Sequence, residues 1–126
     1  MSFIDQWQVY YVSDCRHITR PKDKYVVVAC LEDTTAWCFF INSRVSNYFR
    51  YHTDLLPCLV SIPCADHGFL RYDSWIDCSS IYDFAAHELI NRRGALSPSC
   101  IGNMLVNVPL CRKLPNRYKT TTLHQS

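Results

Sequence analysis

Two apolar runs separated by a short polar break constrain this chain more than any other stretch. Tyr25-Val26-Val27-Val28-Ala29-Cys30-Leu31 is followed by Glu32-Asp33-Thr34-Thr35 and then by Ala36-Trp37-Cys38-Phe39-Phe40-Ile41. β-Branched and aromatic residues suit a pleated surface, and an uninterrupted apolar run of strand length suits a strand covered on both faces. The four-residue link predicts a hairpin. A second layer of structure must therefore cover each side of this pair.

The flanking segments supply more strands and then helices. Residues 7–12, Trp7-Gln8-Val9-Tyr10-Tyr11-Val12, have strand composition, and residues 13–24 are polar, basic and broken by Pro21, as a loop is. Residues 42–54 form a long polar excursion with scattered aromatics, Cys58 to Ile62 a short strand, and Pro63 its end. The chain then bends through Gly68 and re-enters the sheet near Trp75. From Ser80, a capping-box pattern with Asp83 and apolar Ile81, Phe84, Ala85 and Leu89 at helical spacing predict a helix ending at Arg92, Arg93 and Gly94. A second helix is predicted from Ser97 as N-cap and Pro98 at the first position, with Ile101, Met104, Leu105 and Val108 as its stripe and Pro109 as its stop. Strands first and helices later make this a mainly β, α+β chain, a small curved antiparallel sheet or barrel with one or two helices.

With 126 residues the chain is one domain by length, its core at about 7–108 and a basic, Thr-rich tail at 111–126. All 11 acidic residues lie at or before Glu88, whereas Arg92, Arg93, Arg112, Lys113, Arg117 and Lys119 follow without an acid. That asymmetry suits an anionic partner such as RNA, or an acidic protein, and is equally the pattern of a solvated basic face. The first residues show neither the basic nor the apolar region of a secretory leader, and no apolar run is long enough to span a membrane. A cytoplasmic location with reduced thiols is expected, most of the 8 cysteines acting as small buried hydrophobes.

The densest cluster of ionisable groups is Asp66-His67-Gly68-Phe69-Leu70-Arg71-Tyr72-Asp73-Ser74-Trp75-Ile76-Asp77. Three chemistries compete for it and its surroundings. Cys58, Cys64, His67 and Cys78 are a possible zinc set, although their spacing lacks the tight pairs of structural zinc sites. Cys15, beside Arg16 and His17, has close basic neighbours and is thus a candidate nucleophile. Cleavage of RNA by its own 2′-hydroxyl needs a base, an acid and cationic or hydrogen-bonding groups around the phosphorane. His17, Ser43, His67, Arg71 and Asp73 offer such groups without a metal. The plain alternative is an Arg71–Asp73 ion pair and exposed loop histidines.

The order of these segments, with Arg20-Pro21, Val26-Val27-Val28, Phe39-Phe40-Ile41-Asn42-Ser43 and Arg71-Tyr72-Asp73, resembles the PemK/MazF toxin family. The block from Asp66 to Asp77 is similar to a divergent PemK-like branch. The resemblance covers about residues 7–108. It implies an SH3-like barrel with a C-terminal helix, usually a homodimer, that cleaves single-stranded RNA without a metal or other cofactor and is neutralised by an antitoxin protein. By position it implies that Arg71 stabilises or protonates the phosphate, that Asp73 orients Arg71 or binds a base, and that Ser43 hydrogen-bonds the scissile phosphate. Asn42 stands where the family has a threonine. His17, ahead of Arg20, and His67 are candidates for the titrating group, and Arg20, Asn42, Tyr72 and Trp75 for contacts to RNA. A catalytically silent relative that only binds RNA or protein has the same fold expectation.

Overall fold

The computed structural model describes residues 4–20 and 22–126. Met1, Ser2 and Phe3, read above for a leader, and Pro21 of the Arg20-Pro21 pair lie outside the described residues.

The hairpin is present and tighter than its four-residue link suggests. Strand β2 (Lys24–Glu32) pairs antiparallel with β3 (Thr35–Asn42), and Glu32 lies opposite Thr35, so the turn is Asp33-Thr34 alone. Asp33 has φ 52°, the left-handed region that tight hairpin turns require and that aspartate tolerates better than most residues. Both faces of β2 are covered, as its composition demands. Val27 and Ala29 join the main core, while Val26 and Val28 join a second apolar cluster with Tyr10, Val12, Cys38 and Phe84.

Among the described residues, β1 (Gln8–Val12), β4 (Leu59–Ile62), β5 (Ser74–Ala85) and β6 (Arg92–Ala95) complete a six-stranded sheet in the order β4-β5-β3-β2-β1-β6. Every pairing is antiparallel. Register shifts interrupt β1 with β6, β2 with β3, and β3 with β5. Extra residues on one strand of a pair bend it and increase its twist, which curls this sheet toward a barrel. The main core fills the curl under helix α2 (Pro98–Asn107), which contributes Cys100 and Met104, and under α1 (Asn47–Tyr51), which contributes Phe49.

The predicted helix at 80–94 is not formed. Residues up to Ala85 continue β5, a short 3-10 turn follows at Ala86–Glu88, and Arg92–Ala95 is strand β6. Helical spacing misled because β5 bulges: Cys38 faces Tyr82 and Phe40 faces Asp77, so residues 78–81 stand against Phe39 alone. The insertion resets the two-residue alternation and sends Ile81 toward the main core and Phe84 to the second cluster. Asp77 holds the bulge by accepting from the Ser79 amide and hydroxyl, at 2.9 and 2.5 Å. Gly94 is not a helix cap. A Cβ there would lie 2.8 Å from a ring carbon of Phe69, so glycine lets the 66–73 segment pack onto β6.

The second predicted helix is α2, capped as expected by Ser97, whose side chain accepts from the Cys100 amide at 3.2 Å. The basic tail forms α3 (Asn116–Gln125). It docks on β2: Gln125 accepts from the Leu31 amide at 2.8 Å and donates to the Leu31 carbonyl at 2.7 Å, and Arg117 pairs with Glu32 at 2.8 Å. Cys58 and Cys111, 53 residues apart, form a disulfide with a Cα separation of 4.7 Å. This corrects the expectation of reduced thiols for these two; Cys15, Cys30, Cys38, Cys78 and Cys100 are free and buried. No helix among the described residues is long and apolar enough to cross a membrane.

Candidate active site

Antiparallel pairing of β2 with β3 brings Lys24, at the start of one strand, beside Asn42, at the end of the other. These strand ends, the residues after β3 and the segment before β5 enclose a cleft of about 650 Å³. Its charged lining is Lys22, Lys24, Arg44 and Arg71 against the single carboxylate of Asp23. That carboxylate is already occupied, since it accepts from the Tyr11 hydroxyl at 2.9 Å and the Asp14 amide at 3.1 Å. The cleft therefore presents positive charge and the hydroxyl of Ser43, with Tyr11, Tyr25 and Tyr72 as aromatic walls.

Lys24 is the group that sequence reasoning missed. In sequence it ends a polar loop, whereas in the fold it opens β2 and is half-buried. Its ammonium donates to Asn42 Oδ1 and lies 5.1 Å from the centre of the Phe40 ring. Burial, reinforced by Lys22, lowers its pKa from the ordinary 10.5. A lysine that loses its proton more readily than usual, beside a serine and an arginine in a cationic cleft, is suited to proton transfer. The only available sequence signal was its position next to the apolar run.

Arg71 carries no ion pair among the described residues, and its guanidinium carbon is 5.5 Å from the centre of the exposed Tyr72 ring. The Arg71–Asp73 pair is absent because Asp73 turns away: its carboxylate accepts from the Cys64 amide at 2.9 Å, and that contact lowers its pKa. Arg71 is left free for an anion.

No protein-family model matches the chain, and no curated protein matches it in sequence. Solved structures do. An endoribonuclease in complex with its cognate antitoxin from Mycobacterial species superposes with a TM-score of 0.63 over 91% of this chain and 98% of that one, at 12% identity. The Mycobacterium tuberculosis toxin MazF-mt6 superposes with a TM-score of 0.62 over 86% of this chain and 98% of that one, at 14% identity. The chain has a MazF-like fold.

Within this MazF-like fold the sequence-predicted residues separate into two groups. Asn42, Ser43, Arg71 and Tyr72 meet at the cleft. Trp75, paired across the sheet with Asn42, is 36% exposed but lies outside the cleft lining, since strand alternation turns it away from the face of Ser74 and Ile76. Arg20 is exposed and also outside that lining.

The two histidines are elsewhere. His17 contacts the Asp83 carbonyl at 2.7 Å and the Tyr82 and Phe84 rings, where β5 faces the opposite end of β3. Five residues of strand, about 16 Å, separate Trp37 at that end from Asn42. His67 is 1% exposed. Its Nε2 accepts from the Ser97 amide at 2.9 Å, which leaves the ring proton on Nδ1 to be donated to the Pro63 carbonyl at 2.7 Å. Both nitrogens are thus engaged in fastening the 63–67 turn to the start of α2. The candidate zinc set does not assemble: Cys58 is in the disulfide and both ring nitrogens of His67 are engaged. Cys15 is fully buried in the second cluster, out of reach of a substrate.

Proposed function

We propose that this protein is an endoribonuclease toxin that cuts single-stranded RNA at the Lys24–Asn42–Ser43–Arg71 cleft. The observation that carries the reading is a cationic cleft lined by a half-buried lysine of lowered pKa and by an arginine with no ion pair among the described residues. The likeness in fold to endoribonucleases supports it.

The chemistry follows from those groups. The neutral amine of Lys24 takes the proton of the RNA 2′-hydroxyl, whose oxygen attacks the adjacent phosphorus. Arg71 and the Ser43 hydroxyl stabilise the charge that collects on the phosphorane oxygens. The bond from phosphorus to the 5′-oxygen breaks, the Lys24 ammonium returns the proton to that oxygen, and the products are a 2′,3′-cyclic phosphate and a 5′-hydroxyl. Asn42 orients the lysine, and Tyr72 gives a displaced base a stacking surface. Asp73 and His67 act by position, holding the turn that carries Arg71. None of these steps requires a metal.

An antitoxin protein and a homodimer belong to the same reading; light scattering of the chain alone, and with a protein encoded beside it, measures both. The direct test is incubation of single-stranded RNA with the protein in EDTA. Cleavage is expected, with cyclic-phosphate ends, and Arg71→Ala is expected to reduce the rate at least about 100-fold. Undiminished cutting by that variant, or RNA bound but left intact by the wild type, would overturn the assignment.

A further inference from the structure

The cleft wall ends at the start of α1. Ser46 lines that wall and caps the helix, its hydroxyl accepting from the Tyr48 amide at 3.2 Å. The helix spans about 7 Å and leads away from the wall. The rings of Tyr48 and His52 are stacked with centroids 4.1 Å apart, and Lys113 Nζ stands 4.9 Å from the centre of the Tyr48 ring. Tyr51 is three residues on from Tyr48 and so on a neighbouring part of the helix surface. It is 84% exposed and belongs to neither apolar cluster. Packing does not account for such a ring.

The charge around these rings is one-sided. Residues 43 to 62 carry Arg44 and Arg50 and one acid, Asp54, and residues 111 to 126 carry no acid. The Cys58–Cys111 disulfide ties the second segment to the first and so sets Lys113 against α1.

We propose that α1 and Lys113 form a second nucleotide-binding site, which takes the stretch of single-stranded RNA flanking the cleft. A base stacks on Tyr51, and phosphates meet Arg50 and Lys113, while His52 and Lys113 cover the Tyr48 ring. This rests on the ribonuclease reading of the cleft and extends it. An exposed ring flanked by cations matches a single strand, whose bases are free to stack, better than a duplex, whose bases are not.

The test compares wild type with the Tyr51→Ala/Lys113→Ala double variant, both exposed positions, by fluorescence anisotropy. The probes are 2′-O-methyl RNAs, which lack the attacking hydroxyl, of about five and about fifteen nucleotides. The expected result is a loss of roughly tenfold or more in affinity for the long probe, no change for the short one, and unchanged thermal melting. Equal affinity of the two proteins for the long probe overturns the site. So does an equal loss on both probes, which would make α1 part of the cleft itself, or wild-type binding of a long duplex as tight as of the long single strand, which would reduce the surface to charge alone. Wild-type protein that neither binds the probes nor cuts unmodified RNA removes the cleft reading too. Intact cleavage with unchanged long-probe binding by the variant removes only the α1 site.

Discussion

Lys24 depends on its neighbours for its chemistry. In isolation it is a lysine after a polar loop; folded, it is half-buried beside Asn42 with a pKa lowered from 10.5 by burial first and Lys22 second. The direction sets two outcomes. Between the folded value and 10.5 the unfolded chain binds more protons at this site, so the lysine's contribution makes stability climb as pH rises through that window, with a constant burial cost below it. For cleavage, kcat/KM is expected to rise with pH through an apparent pKa below 10.5. In Lys24→Arg the guanidinium keeps its proton, and that limb should disappear from the profile; in Lys24→Met the rate should fall about 100-fold or more. A Lys24→Arg profile identical to wild type would remove the lysine from proton transfer. Motif order marks Arg71 and Ser43 in the sequence, and both line the cleft. His17 and His67 mislead because a histidine in a polar stretch looks available, whereas each has a backbone partner supplied by a distant segment.

The 66–73 segment and β6 illustrate what packing adds to local pattern. The segment read as a site edge, and it does carry Arg71 and Tyr72 to the cleft. It also fastens the curled sheet, with Phe69 over Gly94 of β6 and His67 bonded to the Ser97 amide. Gly94→Ala places a methyl group 2.8 Å from the Phe69 ring. We expect a loss of about 1–3 kcal/mol in urea unfolding, because the ring must shift in a packed interface. If the segment also positions Arg71, the variant's kcat falls with it; an alanine variant as stable as wild type would show that the packing at β6 is loose. The C-terminal half of β5 has a helix-like sequence for a related reason. Its bulge at 78–81 breaks the two-residue alternation, and the surviving apolar positions happen to match a helical stripe. The hairpin of β2 and β3 was clear because no such interruption hides the length of its apolar runs.

The whole chain is tied together by contacts that close long loops. The Cys58–Cys111 bridge spans 53 residues and joins the end of the α1 segment to the basic tail. In the chain-entropy account a closed loop of that size stabilises by up to about 4 kcal/mol, and measured values are commonly about 2–4 kcal/mol. Cys58→Ser/Cys111→Ser is expected to lower the urea midpoint accordingly, and treatment with a thiol reductant should move wild type toward the variant. A variant with an unchanged midpoint would show that the bridge adds nothing to the folded state. The tail, which the sequence marks only as basic and Thr-rich, is a helix docked through Gln125 and Arg117 onto β2.

The sequence alone determined the central hairpin, the mainly β character, the Ser97–Pro98 helix start and the order of segments that resembles the MazF-like toxins, since each depends on residues adjacent in the chain. Tertiary structure decided which polar groups are free. Lys24 is drawn into the cleft, Asp73 is turned from Arg71, both nitrogens of His67 are engaged, and Cys58 meets Cys111. A side chain's proton affinity and its available hydrogen bonds depend on neighbours that only the fold brings within a few ångströms.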